Sequence, residues 1–106
     1  MQRYPVKASH RSRLTLPSLA ATARDAFGEA GVDGEGIAAR FGALRSLRAR
    51  PAGRELEVEV EMDPKVAPEI AAETIRRYNR FLEAATGYTA KERAKRLRKS
   101  AGAPEG

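Results

Sequence analysis

The chain has 106 residues, a formal net charge of +6 and a sequence pI near 10.2, the size of one domain with a modest core of its own. It contains no Cys, which excludes disulfides, thiolate nucleophiles and cysteine-based zinc sites. Its N-terminus has no apolar run suited to a signal peptide or a membrane span, so a cytoplasmic protein without a membrane role is expected. The charge is unevenly placed: Arg3, Lys7, Arg11 and Arg13 stand at one end without an acid, and Lys91, Arg93, Lys95, Arg96, Arg98 and Lys99 stand at the other against Glu92 alone. The stretch between them is slightly acidic. Basic ends on a near-neutral body raise a nucleic-acid or acidic-membrane hypothesis.

In chain order, Gln2–Lys7 reads as a short strand in which Pro5 requires an edge position. Residues 8–13 are polar and basic and read as a loop. Leu16, Leu19, Ala20, Ala23, Phe27 and Ala30 recur at helical spacing, with Pro17 in the first turn and Gly31 as the stop, so a helix is expected over about 17–30. Val32–Gly36 reads as a turn. Two strands follow, Ile37–Phe41 and Leu44–Arg50, the second ending at the tight-turn composition Pro51-Ala52-Gly53.

The next strand has the clearest pattern of all: Leu56, Val58, Val60 and Met62 alternate with Glu55, Glu57, Glu59 and Glu61. One face belongs to the core and the glutamate face to solvent, with Arg48 and Arg50 opposite it across the hairpin. Asp63-Pro64 ends the strand. A long helix over about 67–86 carries the stripe Ile70, Thr74, Ile75, Tyr78, Phe81, Leu82 and Ala85, with Arg76, Arg77 and Arg80 outside and Gly87 as the stop. Thr89-Ala90-Lys91-Glu92 is a capping box that opens a last helix over about 90–100. The apolar face of that helix, Ala94, Leu97 and Ala101, is too small to hold it firmly, and Gly102–Gly106 are expected to be disordered. The fold class is therefore α+β in the order β-α-β-β-β-α-α: an antiparallel sheet of three to four strands with two helices on one face. Residues 1–88 would form the domain and 89–106 a basic helix and tail.

The functional signal is the basic helix. Lys91, Arg93, Lys95, Arg96, Arg98 and Lys99 could neutralise phosphates along a backbone, with Arg76, Arg77, Arg80 and Arg11 extending the surface. A solubilising tail is the competing reading, and Arg76 or Arg77 could equally pair with Glu73 or Glu83. Tyr88, in the joint beside the basic helix, is a candidate for stacking on an unpaired base, whereas Phe41 and Tyr78 fit core packing better. RNA-recognition-motif, KH, dinucleotide-binding and P-loop signatures fail on context. The glutamate row does not converge on a metal, His10 has no evident partner, and no catalytic constellation or cofactor motif is visible.

Arg3-Tyr4-Pro5-Val6-Lys7-Ala8-Ser9-His10-Arg11 and, more specifically, the run from Thr74-Ile75-Arg76-Arg77-Tyr78-Asn79-Arg80-Phe81 through Gly87-Tyr88-Thr89-Ala90-Lys91-Glu92-Arg93 resemble a small archaeal family catalogued only as a domain of unknown function. Ser9 stands where that family favours Gly. The resemblance covers nearly the whole chain and implies an archaeal source and one α+β domain, but no activity, cofactor or catalytic residue. The expectation is a non-enzymatic nucleic-acid-associated protein of low sequence specificity, RNA favoured over DNA. The alternative is a protein-interaction or homodimerisation module.

Overall fold

The structure is a computed structural model that describes residues 2–100, without the side chains of residue 13 and residues 97–100. The expected disorder of Gly102–Gly106 lies outside the described residues. The elements are β1 (Gln2–Pro5), a 3-10 segment (Ala8–Arg13), α1 (Leu16–Phe27), β2 (Ala30–Asp33), β3 (Gly36–Phe41), β4 (Leu44–Ala52), β5 (Glu55–Met62), α2 (Pro68–Thr86) and α3 (Ala90–Ser100). The fold is α+β, with one antiparallel sheet in the order β1-β5-β4-β3-β2.

The sheet has five strands, against the three or four expected. The additional strand is β2, Ala30-Gly31-Val32-Asp33, which pairs with β3 around the Gly34 turn. Ala, Gly and Asp favour strands poorly, so this segment takes its form from the neighbouring β3. The helix before it ends earlier than expected. Gly28, at φ +92°, caps α1 by donating its N–H to the Arg24 carbonyl at 2.8 Å, a backbone conformation that suits glycine. At the other end of α1, Thr15 accepts from the Ser18 N–H at 3.3 Å, as an N-cap should. β4 runs two residues beyond the expected Arg50, through Pro51 and Ala52. Arg50 and Ala52 face β5, so the Pro51 nitrogen points toward β3, whose register stops short of it. Its missing N–H therefore costs no ladder bond. The segment expected as a loop over 8–13 closes as a 3-10 turn.

α1 and α2 lie on one face of the sheet. Leu19, Phe27, Ile37, Leu47, Leu56, Phe81 and Leu82 are buried between the layers, each contributing about 1.5–3 kcal/mol relative to exposure. Phe27 sits 5.7 Å from Phe81 and 6.4 Å from Phe41, centroid to centroid. The stripe expected on α2 is only partly buried: Ile70 and Ile75 are 46% and 53% exposed, whereas Thr74, within the stripe, and Thr86, outside it, are fully buried. Both threonines fit because their hydroxyls donate back to the preceding turn, Thr74 to Ile70 and Thr86 to Leu82, and accept N–H groups from Ala43 and Tyr88. Among the described residues, no helix is long and apolar enough to cross a membrane.

Candidate nucleic-acid interface

The capping box that opens α3 is formed in both directions. The Thr89 N–H donates to Glu92 Oε1 at 2.9 Å, and the Glu92 N–H donates to Thr89 Oγ1 at 3.2 Å. The Thr89 backbone bond is the main reason the Glu92 carboxyl is held below the ordinary glutamate range.

Of the apolar face expected on this helix, the Leu97 side chain and Ala101 lie outside the described residues. Ala94 is exposed, and Arg93 is the side chain turned inward, only 3% accessible. Its guanidinium donates to the Tyr88 carbonyl at 2.7 Å and to Asn79 Oδ1 at 2.9 Å, and lies 5.9 Å from the Tyr4 ring centroid. Burial lowers the Arg93 pKa from its ordinary value, but a guanidinium remains charged at any physiological pH. Arg93 thus ties α3 to α2 and to the aromatic pair Tyr4–Tyr78, whose hydroxyls are 3.4 Å apart. Periodicity could not identify this anchor, because it is a charged residue at a core-facing position.

With Arg93 turned in, Lys91 and Lys95 stand exposed one helical turn apart, without an ion pair among the described residues. Arg98 and Lys99 belong to α3, but their side chains lie outside the described residues. Arg96 places its guanidinium carbon 4.2 Å from the centroid of the Tyr88 ring, and Lys7 Nζ lies 5.6 Å from the same centroid. Tyr88 is half-buried between two cations from opposite ends of the chain. Lys7 arrives there because its N–H donates to the Thr86 carbonyl at 2.8 Å, seating the 3-10 segment at the end of α2. His10 packs against Gly87 and shares a shallow depression with Arg80 and Glu83. Arg11 donates from Nε to the Val6 carbonyl at 3.1 Å while remaining exposed.

The sequence profile described as Domain of unknown function (DUF5611) matches residues 1–99. The chain belongs to this family. Its structure is similar to the NMR solution structure of a hypothetical protein from Thermoplasma acidophilum, with 27% identity and a TM-score of 0.66 over 92% of this chain and 97% of that one. No curated protein matches. The resemblance carried by residues 3–11 and 74–93 holds, and the matched structure is archaeal.

In this DUF5611 domain the arginine row of α2 divides. Arg76 and Arg77 both bind Glu73, Arg77 through Nε at 2.9 Å, and hold its carboxyl below the ordinary range, Arg77 with the larger effect. Arg77 also donates to the Ala26 carbonyl at 3.2 Å and lies 4.8 Å from the Phe41 centroid, so it fastens α2 to α1 and β3. Arg80 is exposed and faces the Lys7–His10 end. Of the cations expected to meet nucleic acid, Arg93, Arg77 and Arg76 are engaged with groups of the fold, whereas Lys91, Lys95, Arg80 and Arg11 are exposed. Lys7, from the basic N-terminal end, lies with Arg96 against Tyr88.

The opposite face of the sheet is a lattice of mutual charges. Glu57, expected in solvent, is 3% accessible because Arg50 and Arg3 close over it, each at 2.6 Å. The Arg50 hydrogen bond leads in lowering the Glu57 pKa. Arg48, opposite Glu59 in register, turns instead to Asp33 at 3.0 Å. Among the described residues, no three His, Asp or Glu side chains are grouped to hold a metal ion.

Proposed function

We propose that this protein is a non-enzymatic nucleic-acid-associated protein of low sequence specificity, with RNA favoured, which binds the phosphate backbone along α3 and the adjoining end of α2. The observation that carries the reading is the docking of α3 through Arg93. That anchor turns a basic segment into a fixed helix, with Lys91 and Lys95 facing solvent and with Arg96 and Lys7 gathered at Tyr88. Cations held in place lose less side-chain and backbone freedom on meeting phosphates than cations on a loose tail. The Tyr88 ring beside them supports the preference for RNA, since unpaired bases stack on aromatic rings and on arginine planes. Among the described residues no side-chain set suited to base edges accompanies them, so affinity without sequence reading is the expected behaviour.

The test is fluorescence anisotropy of labelled single-stranded RNA, hairpin RNA and duplex DNA over a salt series. Each phosphate contact on a single strand adds about −0.7 to the log–log slope. K91A/K95A should therefore make the slope shallower by about 1.4, while R76A, whose partner is Glu73, should leave it unchanged. Absence of binding at low salt, or a slope insensitive to K91A/K95A, would sink the proposal.

A further inference from the structure

β1 covers only half of β5. The register runs from Pro5 opposite Glu55 to Gln2 opposite Val58, which leaves Glu59–Met62 without a described strand on that side. The hydrogen-bond parity shows which groups face the gap. Val6 donates to the Arg54 carbonyl at 3.2 Å and continues the β1 register, so the even-numbered residues of β5 direct N–H and C=O toward β1. Asp63, an odd-numbered position, instead donates to the Ala43 carbonyl on the β4 side at 2.7 Å. The N–H and C=O of Val60 and Met62 therefore point out of the sheet edge. Side chains on both faces of the same segment are also left partly uncovered. Val60 and Met62 are 39% and 36% exposed on the helix side. Glu59 and Glu61 are exposed on the other side, with no ion pair among the described residues, since Arg48 has turned to Asp33 and Ser46 stands opposite Glu61.

β1 shows what this edge accepts. Arg3 lies opposite Glu57 and pairs with it, while Tyr4 lies opposite Leu56 and joins the core. We propose that the Glu59–Met62 edge docks an extended segment of a partner protein in which Lys or Arg alternates with apolar residues. The segment would add to β5 in line with β1, basic side chains over Glu59 and Glu61 and apolar ones over Val60 and Met62. This is strand addition: backbone hydrogen bonds supply affinity and alternate side chains supply selectivity. A second copy of this chain fits poorly. In a two-fold pairing of two β5 edges, even-numbered residues must oppose even-numbered ones, so Glu59 and Glu61 would face acidic residues of the other copy. A basic peptide is repelled by the cationic surface proposed for nucleic acid, and the two readings are tested with ligands of opposite charge, so the two proposals fail independently.

The experiment is a titration of the full, isotope-labelled chain, followed by amide NMR, with a capped hexapeptide alternating Arg and Val. The expected result is shifts concentrated at residues 58–62, with affinity reduced at least about tenfold by E59K/E61K and by alternate N-methylation of the peptide backbone. Should the charge reversal disturb folding, E59Q/E61Q tests the same point without introducing new charge. The proposal is overturned by an absence of shifts at the edge, by equal binding of a block-ordered Arg/Val peptide or of a Glu/Val alternation, or by concentration-dependent self-association through the same amides.

Discussion

Replacing Arg93 by alanine should detach α3 and leave the rest of the domain folded. The side chain makes two hydrogen bonds from a charged donor, to the Tyr88 carbonyl at 2.7 Å and to Asn79 Oδ1 at 2.9 Å. Bonds of this kind contribute about 1.5–3 kcal/mol each, so the lower end of the range gives about 3 kcal/mol for the pair. α3 has 11 residues, a length at which an isolated helix is marginal in water. Its docked state therefore depends on this anchor and the capping box. A loss of about 3 kcal/mol corresponds to about a hundredfold rise in the opening equilibrium. Amide hydrogen exchange should show protection in the second half of α3 falling by about two orders of magnitude, with α2 and the β4–β5 hairpin unchanged. Lysine is no substitute, because one ammonium cannot reproduce a planar fork that serves two acceptors, so Arg93→Lys should recover only part of the protection. If α3 keeps its native protection in a folded Arg93→Ala protein, the anchor argument is wrong and the fixed basic helix loses its basis.

Three further outcomes follow from the same geometry. Thr89→Ala removes one half of the capping box and should lower α3 stability by about 1 kcal/mol, visible as reduced helical circular dichroism with an unchanged unfolding midpoint for the body. Gly42→Ala should destabilise the whole domain by about 2 kcal/mol or more in urea titrations: the residue has φ +52° and an added Cβ would meet Thr74 Oγ1 at 2.5 Å, so the left-handed cost is joined by a clash with a buried hydrogen-bonded hydroxyl. For Glu57, a native pKa below the ordinary glutamate value means its ionised form stabilises the fold above that ordinary value and the contribution is lost as pH falls through the native one. Thermal melts from about pH 7 to about pH 2 should then show a shallower acid limb for Glu57→Gln than for the parent chain, and parallel limbs would contradict the role assigned to the Arg3–Glu57–Arg50 cluster.

The fold class, both long helices, the β3–β4–β5 meander and the capping box of α3 were legible along the chain. In each case the signal is local and repeated: alternation in Glu55–Met62, a 3.6-residue stripe through Tyr78, Phe81, Leu82 and Ala85, and the Thr89–Glu92 pair. The sequence also located the charge, with cations at the two ends and a mixed lattice opposite the glutamates. Features that depend on contacts between distant segments carry no such signal. β2 exists because β3 lies beside it, since a four-residue segment in which only Val32 favours a strand forms one only against a ready-made edge. Glu57 is covered because two arginines from different strands close over it, which no pattern along β5 encodes. Arg93 leaves the solvent and Arg77 is half-buried, while Lys91, Lys95 and Arg80 remain exposed, although all are cations in similar sequence surroundings. What separates them is the acceptor each can reach: the carbonyl of Tyr88 and the amide of Asn79 for Arg93, the carbonyl of Ala26 and the carboxylate of Glu73 for Arg77. A buried charge is tolerated only where such partners are already in place, and their placement is a property of the assembled chain.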